Sequence, residues 1–310
     1  MTRYIINRLI MMAITLFTVI FITFFLMHSI PGNPLASMAK NLPEQTLKNY
    51  EKKYGLDKPV GEQFVIFMKN LVTEGDLGES ITYAGRSITQ TIKETAPISG
   101  QLGLSSLVIG TISGVLLGII AALNRNRWPD YVVIFIAMIG VTIPVFVMAA
   151  LLQYVLAVKM QVLPTSGWNG IKTMIIPVIA MAFGPIATYA RYTRSNVLEV
   201  MGQDYILTAE AKGVSQFNII TKHVMRNAML PLITILGPQI AGVFTGSFIV
   251  ERMFAIPGLG FYFVNSITAR DYTMIIGTTI FYAALFIVSQ LAVDIVYGLV
   301  DPRIRVGGRK

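Results

Sequence analysis

The stretch Leu9–Ile30, LIMMAITLFTVIFITFFLMHSI, contains no aspartate, glutamate, lysine or arginine. A helix needs about 20 mostly apolar residues to cross a bilayer core about 30 Å thick, so this stretch is long enough to span. It follows Arg3 and Arg8 as a secretory signal would, but it exceeds the roughly 7–15 apolar residues of a signal peptide. It also ends in Pro31-Gly32-Asn33-Pro34 without a small-residue cleavage site. We therefore predict a retained transmembrane helix.

The composition of the whole chain also indicates a membrane protein. Of 310 residues, 54% are hydrophobic and only 13% are charged, whereas a soluble domain carries about a quarter charged residues. The chain has no cysteine, which excludes disulfides and cysteine-based zinc sites. Its net charge of +9 lies in short segments beside apolar runs, and this distribution argues against a nucleic-acid partner.

Apolar runs of spanning length recur along the chain and predict an all-α membrane protein with six transmembrane helices. The runs are Leu9–Ile30, Gln101–Leu123, Tyr131–Val158, Thr173–Tyr192, Met229–Val250 and Met274–Val300. Pro177 and Pro185 interrupt the fourth run. A spanning helix tolerates such prolines when neighbouring helices satisfy the backbone groups that they free. An even number of spans puts both termini on one side. Lysine and arginine are concentrated in the short segments of that side, so both termini are predicted to be cytoplasmic.

The spans divide the chain into three predicted parts. These are an N-terminal segment with the first span at 1–30, an extracytoplasmic helical insertion at 31–100, and a core at 101–310 that includes a cytoplasmic loop at 191–228. In the insertion, Pro43–Tyr54 and Pro59–Thr73 show helical spacing of apolar residues behind a proline. A solvated linker is the alternative, but the apolar side chains favour a small folded cap.

The cytoplasmic loop contains a polar stretch, QDYILTAEAKG at Gln203–Gly213, between two spans. It predicts two short helices, broken where Gly213 takes the left-handed position after the first and Ser215 caps the second. In the second helix Phe217, Ile220 and Val224 fall on one apolar stripe. Helices this short have no core of their own, so this loop must pack against something.

Several kinds of chemistry have no support in the sequence. The chain contains no Gly-Lys dipeptide and hence no nucleotide-binding P-loop. Its two histidines, His28 and His223, are predicted at opposite faces of the membrane, so neither a metal site nor a catalytic constellation is indicated. We predict no catalytic residue and no cofactor. Asp294, the acidic residue deep in a span, is interpreted either as an ion-coupling site or as a carboxylate bonded to a neighbouring helix, and we favour the second.

Two sets of small or polar residues lie within the spans. The second span carries small residues four apart, which predict close approach of another helix: Ser106, Gly110, Gly114, Gly118 and Ala122. In the fifth span Gln239, Thr245 and Ser247 are polar among apolar neighbours. They are candidates for a substrate path, and cross-helix hydrogen bonding is an equally good interpretation.

The polar stretch and several other motifs resemble a known family, the permeases of bacterial ATP-binding-cassette importers. Asp204-Tyr205, Thr208-Ala209, Ala211-Lys212-Gly213 and Leu230-Pro231 are similar to the EAA loop of these permeases, most of all in the oligopeptide and dipeptide branch. Further similar motifs are Pro31-Gly32-Asn33-Pro34, Tyr54–Pro59, Asp76–Ser80, Ile256–Gly260, Ala269–Tyr272 and Leu299–Arg303. The order and combination of these motifs extend over nearly the whole chain.

The resemblance implies a type I importer permease in the bacterial cytoplasmic membrane, with no ATPase activity of its own. Its expected partners are a second homologous permease subunit, two cytoplasmic ATP-binding subunits and an extracytoplasmic peptide-binding protein. The residues implied to dock on the ATPase are Asp204, Tyr205, Leu207, Thr208, Ala209, Glu210, Ala211, Lys212 and Gly213. Glu210 departs from the branch, where a basic residue is common, so we carry over backbone shape and not charge.

Two alternatives to peptide import stay open at this stage. Similar permeases carry nickel chelates or glutathione, and selectivity in such systems lies mainly in the binding protein. A protein of another class, an ion-coupled secondary transporter, would need functional charges inside the membrane and often inverted repeats, and neither is evident.

Overall fold

The structure is a computed structural model that describes residues 2–30, 43, 45, 48–49, 51–52, 57–83 and 85–300, without the side chains of 2–5, 230, 241, 243–247 and 296–300. Its long elements are α1 (Thr2–Ser29), α2 (Val60–Glu74), α3 (Ile88–Leu123), α4 (Trp128–Thr142), α5 (Val145–Leu152), the π-helix π1 (Gln153–Lys159), α6 (Ile171–Met201), α7 (Asp204–Ala211), the π-helix π2 (Ile219–Val224), α8 (Leu230–Met253), α9 (Leu259–Ala269) and α10 (Tyr272–Val300). Gln216–Asn218 and Met225–Ala228 add short helical turns on either side of π2. No strand occurs in these ranges, which agrees with the predicted all-α class.

Four helices in the described part of the chain are long and apolar enough to cross a membrane, and a bent helix pair brings the number to five. They include Ile6–Ser29, Ile88–Leu123, Ile171–Met201 and Tyr272–Ile295. The predicted fifth run, Met229–Val250, falls within α8, where part of the side chains lies outside the description. The predicted helix Pro43–Tyr54 is largely outside it as well.

The third predicted run is not one straight helix. The chain bends by 109° between α4 and the helix that α5 and π1 form together, so Tyr131–Val158 is a broken span or a re-entrant loop and not one straight helix. Pro144 is the cause, because it has no N–H to donate and disfavours helical backbone at the residue before it. Ile143 is accordingly extended, with φ −84° and ψ 121°. Pro177 and Pro185, by contrast, lie inside α6 without ending it.

The second predicted run begins earlier than its apolar composition indicates. Helix α3 starts at Ile88, well before Gln101, and includes the polar segment 88–100. Ile88 and Ile92 are buried there, in a cluster with Leu259 and Met274. Burial of these side chains extends the helix beyond the lipid-facing sequence.

The chain divides into two compact units, of which the first comprises Met1–Gly100 and Glu251–Ile287. Its α2 begins after Pro59 and packs Phe64 and Phe67 against Phe24 of α1. Helix α2, which belongs to the predicted cap, therefore packs against the apolar helix α1. Asp271 completes this unit: its carboxylate accepts hydrogen bonds from the Ser80 hydroxyl and from the N–H groups of Ile81, Thr82 and Met274.

Candidate coupling site

The second unit comprises Gln101–Val250 and Val288–Lys310, and several of its helices contact α6. Small residues of α3 bring the two backbones together. A Cβ added at Gly114 would lie 2.8 Å from the carbonyl oxygen of Ile186 and 2.8 Å from the Cβ of Tyr189. Gly110 and Gly118 meet α6 equally closely one turn away on either side. The predicted helix-packing role of this small-residue stripe is confirmed.

Helix α4 contacts a second face of α6. A Cβ at Gly140 would lie 2.5 Å from the carbonyl oxygen of Phe183. Near the other end of the contact, Arg194 donates to both carboxylate oxygens of Asp130, at 2.6 and 2.7 Å. The Asp130 side chain is 1% exposed and also accepts from the N–H of Asn126 at 3.0 Å. This two-point pair fixes the end of α6 from which the polar stretch continues.

The polar stretch forms helix α7 directly after α6. The chain turns at Gly202 and Gln203, and Asp204 opens the helix with a negative charge in its first turn, where the helix dipole favours one. At the other end Gly213 has φ +76°, its N–H donates to Glu210 O, and the N–H of Val214 donates to Ala209 O. This pair of bonds is a Schellman motif, and the predicted left-handed glycine is confirmed.

One apolar face holds α7 to the rest of the unit. Ile206 is 2% exposed and lies in a cluster with Val197 of α6 and with Ile219 and Val224 of π2. Ala209 and Val214 pack against the same cluster. Helix α7 therefore buries its apolar side chains against the end of α6 and against π2, and these are the elements on which the loop packs.

The rest of the circumference of α7 is uncovered. Tyr205 is 44% exposed and Leu207 is 57% exposed. Of the nine residues implied to dock, only Ala209 is partly buried, and the exposed ones are Asp204, Tyr205, Leu207, Thr208, Glu210, Ala211, Lys212 and Gly213. The structure brings these residues together on one exposed helix and its C-terminal turn.

Two side-chain hydrogen bonds tie α7 to the helical segment after it. The Gln216 amide donates to Glu210 Oε1 at 3.1 Å, and the Asn227 amide donates to the Tyr205 hydroxyl at 2.9 Å. Glu210, the acidic departure from the family pattern, thus has a partner within its own loop. Tyr205 is held in position at its polar end while its ring stays accessible.

The second helix of the loop differs from the prediction. Ser215 takes the N-cap position as expected, but Phe217 is 75% exposed, and Ile219 is buried. The predicted apolar stripe with Phe217 was therefore wrong. The reason is π2, whose wider turn brings Ile219 and Val224, five residues apart, to the same buried face. An exposed phenylalanine beside α7 is the feature that helical periodicity missed.

The candidate path residues are described only in part. Gln239 is partly buried in α8, next to Pro238, while the side chains of Thr245 and Ser247 lie outside the described residues. Asp294 is also partly buried, in α10, and is engaged by a neighbouring group.

Comparison with known proteins identifies the family. The family model described as "Binding-protein-dependent transport system inner membrane component" matches residues 114–306, and the model of its N-terminal part matches residues 1–102. The chain belongs to this family. It is a permease subunit, a transport component and not an enzyme, and a multi-pass membrane protein.

Full-length relatives and solved structures agree with this family. The chain is 44% identical to the dipeptide transport system permease DppB of Bacillus subtilis, over 99% of both chains. It is 40% identical to the oligopeptide permease OppB of Salmonella typhimurium, over 98% of this chain and all of that one. A chain of the MetNI methionine ABC transporter superposes with TM-score 0.54 at 16% identity, over 68% of this chain and 97% of that one, which shows a shared fold.

Proposed function

We propose that this chain is the permease subunit of a peptide importer in the bacterial cytoplasmic membrane. It would form half of a translocation pore together with a second, homologous permease. The family supports the transport role, and relatives named for dipeptide and oligopeptide transport support the substrate class. We further propose six spans with both termini in the cytoplasm, a core at 101–310 and an extracytoplasmic insertion at 31–100, to which a peptide-binding protein docks.

The observation that carries the coupling role is the construction of α7. One face is fixed by Ile206 to the end of α6, and Tyr205 and Leu207 are exposed on the two sides of that face. A separate ATPase subunit that binds this face would push on α6 through a buried contact and not through a loose loop. We propose that Asp204–Gly213 dock on the ATPase, and we add Phe217 to that surface because its ring is exposed beside them.

Shape and apolar contact carry the docking in this proposal. Leu207 and Phe217 would supply buried area, which contributes about 25 cal/mol per Å² of apolar surface removed from water. Glu210 is bonded to Gln216 within the loop, so its charge serves the local structure. This assignment accounts for an acid at a position where the family resemblance implies that a base is common.

The test introduces one charge at each of two exposed apolar positions. Leu207→Asp should abolish co-purification of the ATPase subunits with the tagged chain and abolish ATP-dependent uptake of a labelled dipeptide into vesicles. Val72→Asp in α2 is the matched control, because Val72 is 75% exposed and belongs to the proposed extracytoplasmic insertion. It should leave co-purification of the ATPase subunits unchanged, and Glu210→Gln should also retain ATPase association.

Each part of the proposal can fail separately in this experiment. Retention of the ATPase subunits by Leu207→Asp would refute the docking surface. Dipeptide uptake that continues without any ATPase bound would refute the importer function and favour an ion-coupled transporter. Uptake of a nickel chelate or glutathione with no uptake of peptides would overturn the substrate class alone.

A further inference from the structure

Helix α6 is packed on three sides and open on the fourth. Helix α3 contacts it through Gly114, and α4 contacts it through Gly140. On a third side Tyr189 lies in a buried cluster with Leu232 of α8, and the Asn196 amide donates to Ala228 O just before α8. Helix α5, which follows α4, contacts α6 as well. At 100° per residue the contacts named for α3, α4 and α8 cover a little more than half of the helix circumference and leave one sector.

Four residues at helical spacing occupy the sector that remains, and we call them the open stripe: Gly184, Thr188, Arg191 and Ser195. A Cβ at Gly184 would meet no heavy atom within 4 Å, and Arg191 and Ser195 are exposed. An open cavity of about 290 Å³ lies against Arg191, Tyr192 and Ser195.

The sector is open over only part of α6. Closer to the N-terminus of the helix, the same sector is buried at Pro177 and Met181. The open stripe therefore runs from Gly184 toward α7 and ends before the buried part, as the wall of a recess closed at one end would.

The depth of the open stripe, meaning its position along the helix axis, follows from the register between α6 and its antiparallel neighbour α4. Gly140 lies against Phe183 and Ala187, and Asp130 pairs with Arg194. By this register Arg191 lies level with residues 133–136 of α4, and Thr188 lies level with residues 136–139.

At those levels α4 exposes large apolar side chains. Phe135 is 63% exposed and Met138 is 59% exposed, as expected of a face toward lipid. At the same depth α6 exposes the Arg191 guanidinium and the neighbouring Tyr192 ring, and the Thr188 hydroxyl is partly buried one turn away. Arg191 forms no ion pair with any residue in the described ranges.

Membrane physics separates these two faces. Helix α6 continues to Met201, past the predicted start of the cytoplasmic loop at 191, so Arg191 lies within a helix that is long and apolar enough to span. Charged residues within spans almost always face a bundle interior or a water-filled cavity, because hydrocarbon cannot satisfy a guanidinium. The exposed side chains of α4 at the same depth are apolar, so contact of the open stripe with water or another polar surface would distinguish this face of α6 from the face of α4.

We propose that the open stripe lines the water-filled part of the translocation path, with Arg191 as the cation that meets carboxylates of the passing substrate. This inference rests on the proposed importer function and names a wall of its path on α6. None of the earlier path candidates, Gln239, Thr245 and Ser247, belongs to this helix.

The absence of cysteine makes the test clean, because an introduced thiol is the only one in this chain. Thr188→Cys and its depth-matched control Met138→Cys are each assembled with the partner subunits in inside-out membrane vesicles that enclose a labelled dipeptide and a peptide-binding protein, so that import corresponds to ATP-dependent release of the dipeptide. A membrane-impermeant, cationic methanethiosulfonate is added, and labelling is measured by the mass of this chain. Thr188→Cys should react and lose this release on labelling, whereas Met138→Cys should do neither.

The charge of Arg191 has its own readout. Thr188 and Arg191 are three residues apart on one face, so a thiol at 188 lies roughly 6 Å from that side chain. An anionic methanethiosulfonate should then label this thiol up to about tenfold faster than the cationic one at low ionic strength, because Arg191 attracts it. Arg191→Gln should remove this preference and leave the labelling of Thr188→Cys itself in place.

The outcomes distinguish this inference from the importer function. If Thr188→Cys and Ser195→Cys support uptake but react no faster than Met138→Cys, the open stripe faces lipid or the second permease and the inference is wrong. If Arg191→Gln leaves the anionic preference unchanged, Arg191 does not project into the path. In both cases ATPase-dependent uptake by the unlabelled variants would leave the proposed function standing.

Discussion

Gly114→Ala tests whether α3 and α6 are as close as the structure has them. The added methyl would lie 2.8 Å from Ile186 O and 2.8 Å from Tyr189 Cβ, and 3.1 Å from Ile186 Cα. None of these atoms is the end of a flexible side chain, so the two helices must separate by several tenths of an ångström. Overpacking of this kind costs about 1–3 kcal/mol.

Gly114→Ala also makes a stabilising contribution to the free energy of unfolding, and a matched variant measures that contribution alone. Alanine in place of glycine inside a helix gains about 0.5–1 kcal/mol from backbone entropy. Gly184→Ala in α6 has only this gain, because a Cβ there meets nothing within 4 Å. We expect Gly114→Ala to be less stable than Gly184→Ala by about 1–3 kcal/mol, with Gly114→Ala below wild type and Gly184→Ala at or above it.

Thermal unfolding of the purified chain in one detergent, at one scan rate, checks this expectation. At about 2–4 °C per kcal/mol the two variants should differ by roughly 2–12 °C. Gly118→Ala should be at least as damaging as Gly114→Ala, since its Cβ would lie 2.6 Å from Ala190 O. Equal midpoints for Gly114→Ala and Gly184→Ala would refute the close contact between α3 and α6.

Three other contacts lead to shorter predictions. Asp130→Ala should lower the free energy of unfolding by about 2–4 kcal/mol, because it leaves Arg194 unpaired, and a double-mutant cycle with Arg194→Ala should show that the two losses do not add. Gly213→Ala should cost about 1–2 kcal/mol through its positive φ and reduce coupled uptake, with Gly213→Asn less affected. Asp271→Ala should release the backbone of 81–82, seen as faster amide hydrogen exchange there and not in α6.

Periodicity and glycine chemistry were enough to predict much of this molecule. The small residues of α3 predicted a helix contact because a spacing of four defines one face, and Gly110, Gly114 and Gly118 all meet α6. Gly213 predicted a helix end because few other residues adopt positive φ readily. Such signals depend on the local backbone, which a single sequence contains in full.

The errors in the sequence predictions have tertiary causes. Ile88–Gly100 reads as a polar loop, but burial of Ile88 and Ile92 draws it into α3. Phe217 was predicted to be buried because helical spacing was assumed where the chain forms the wider π2 turn. The Asp130–Arg194 pair joins residues far apart in sequence, and an acid at the start of an apolar helix was its only sign. Neither composition nor spacing identifies such partners.

Helix α6 combines the features that coupling requires. Its last turns hold α7 through Ile206, its sides are fixed by α3 and by the Asp130–Arg194 pair, and its remaining face carries Arg191. A helix fixed on three sides cannot bend locally when α7 is pushed, so it must move together with the helices packed against it. Displacement of α7 by a closing ATPase would then shift the open stripe as part of one body. A break in that body at Asp130 should therefore uncouple ATP hydrolysis from uptake more than it weakens ATPase binding.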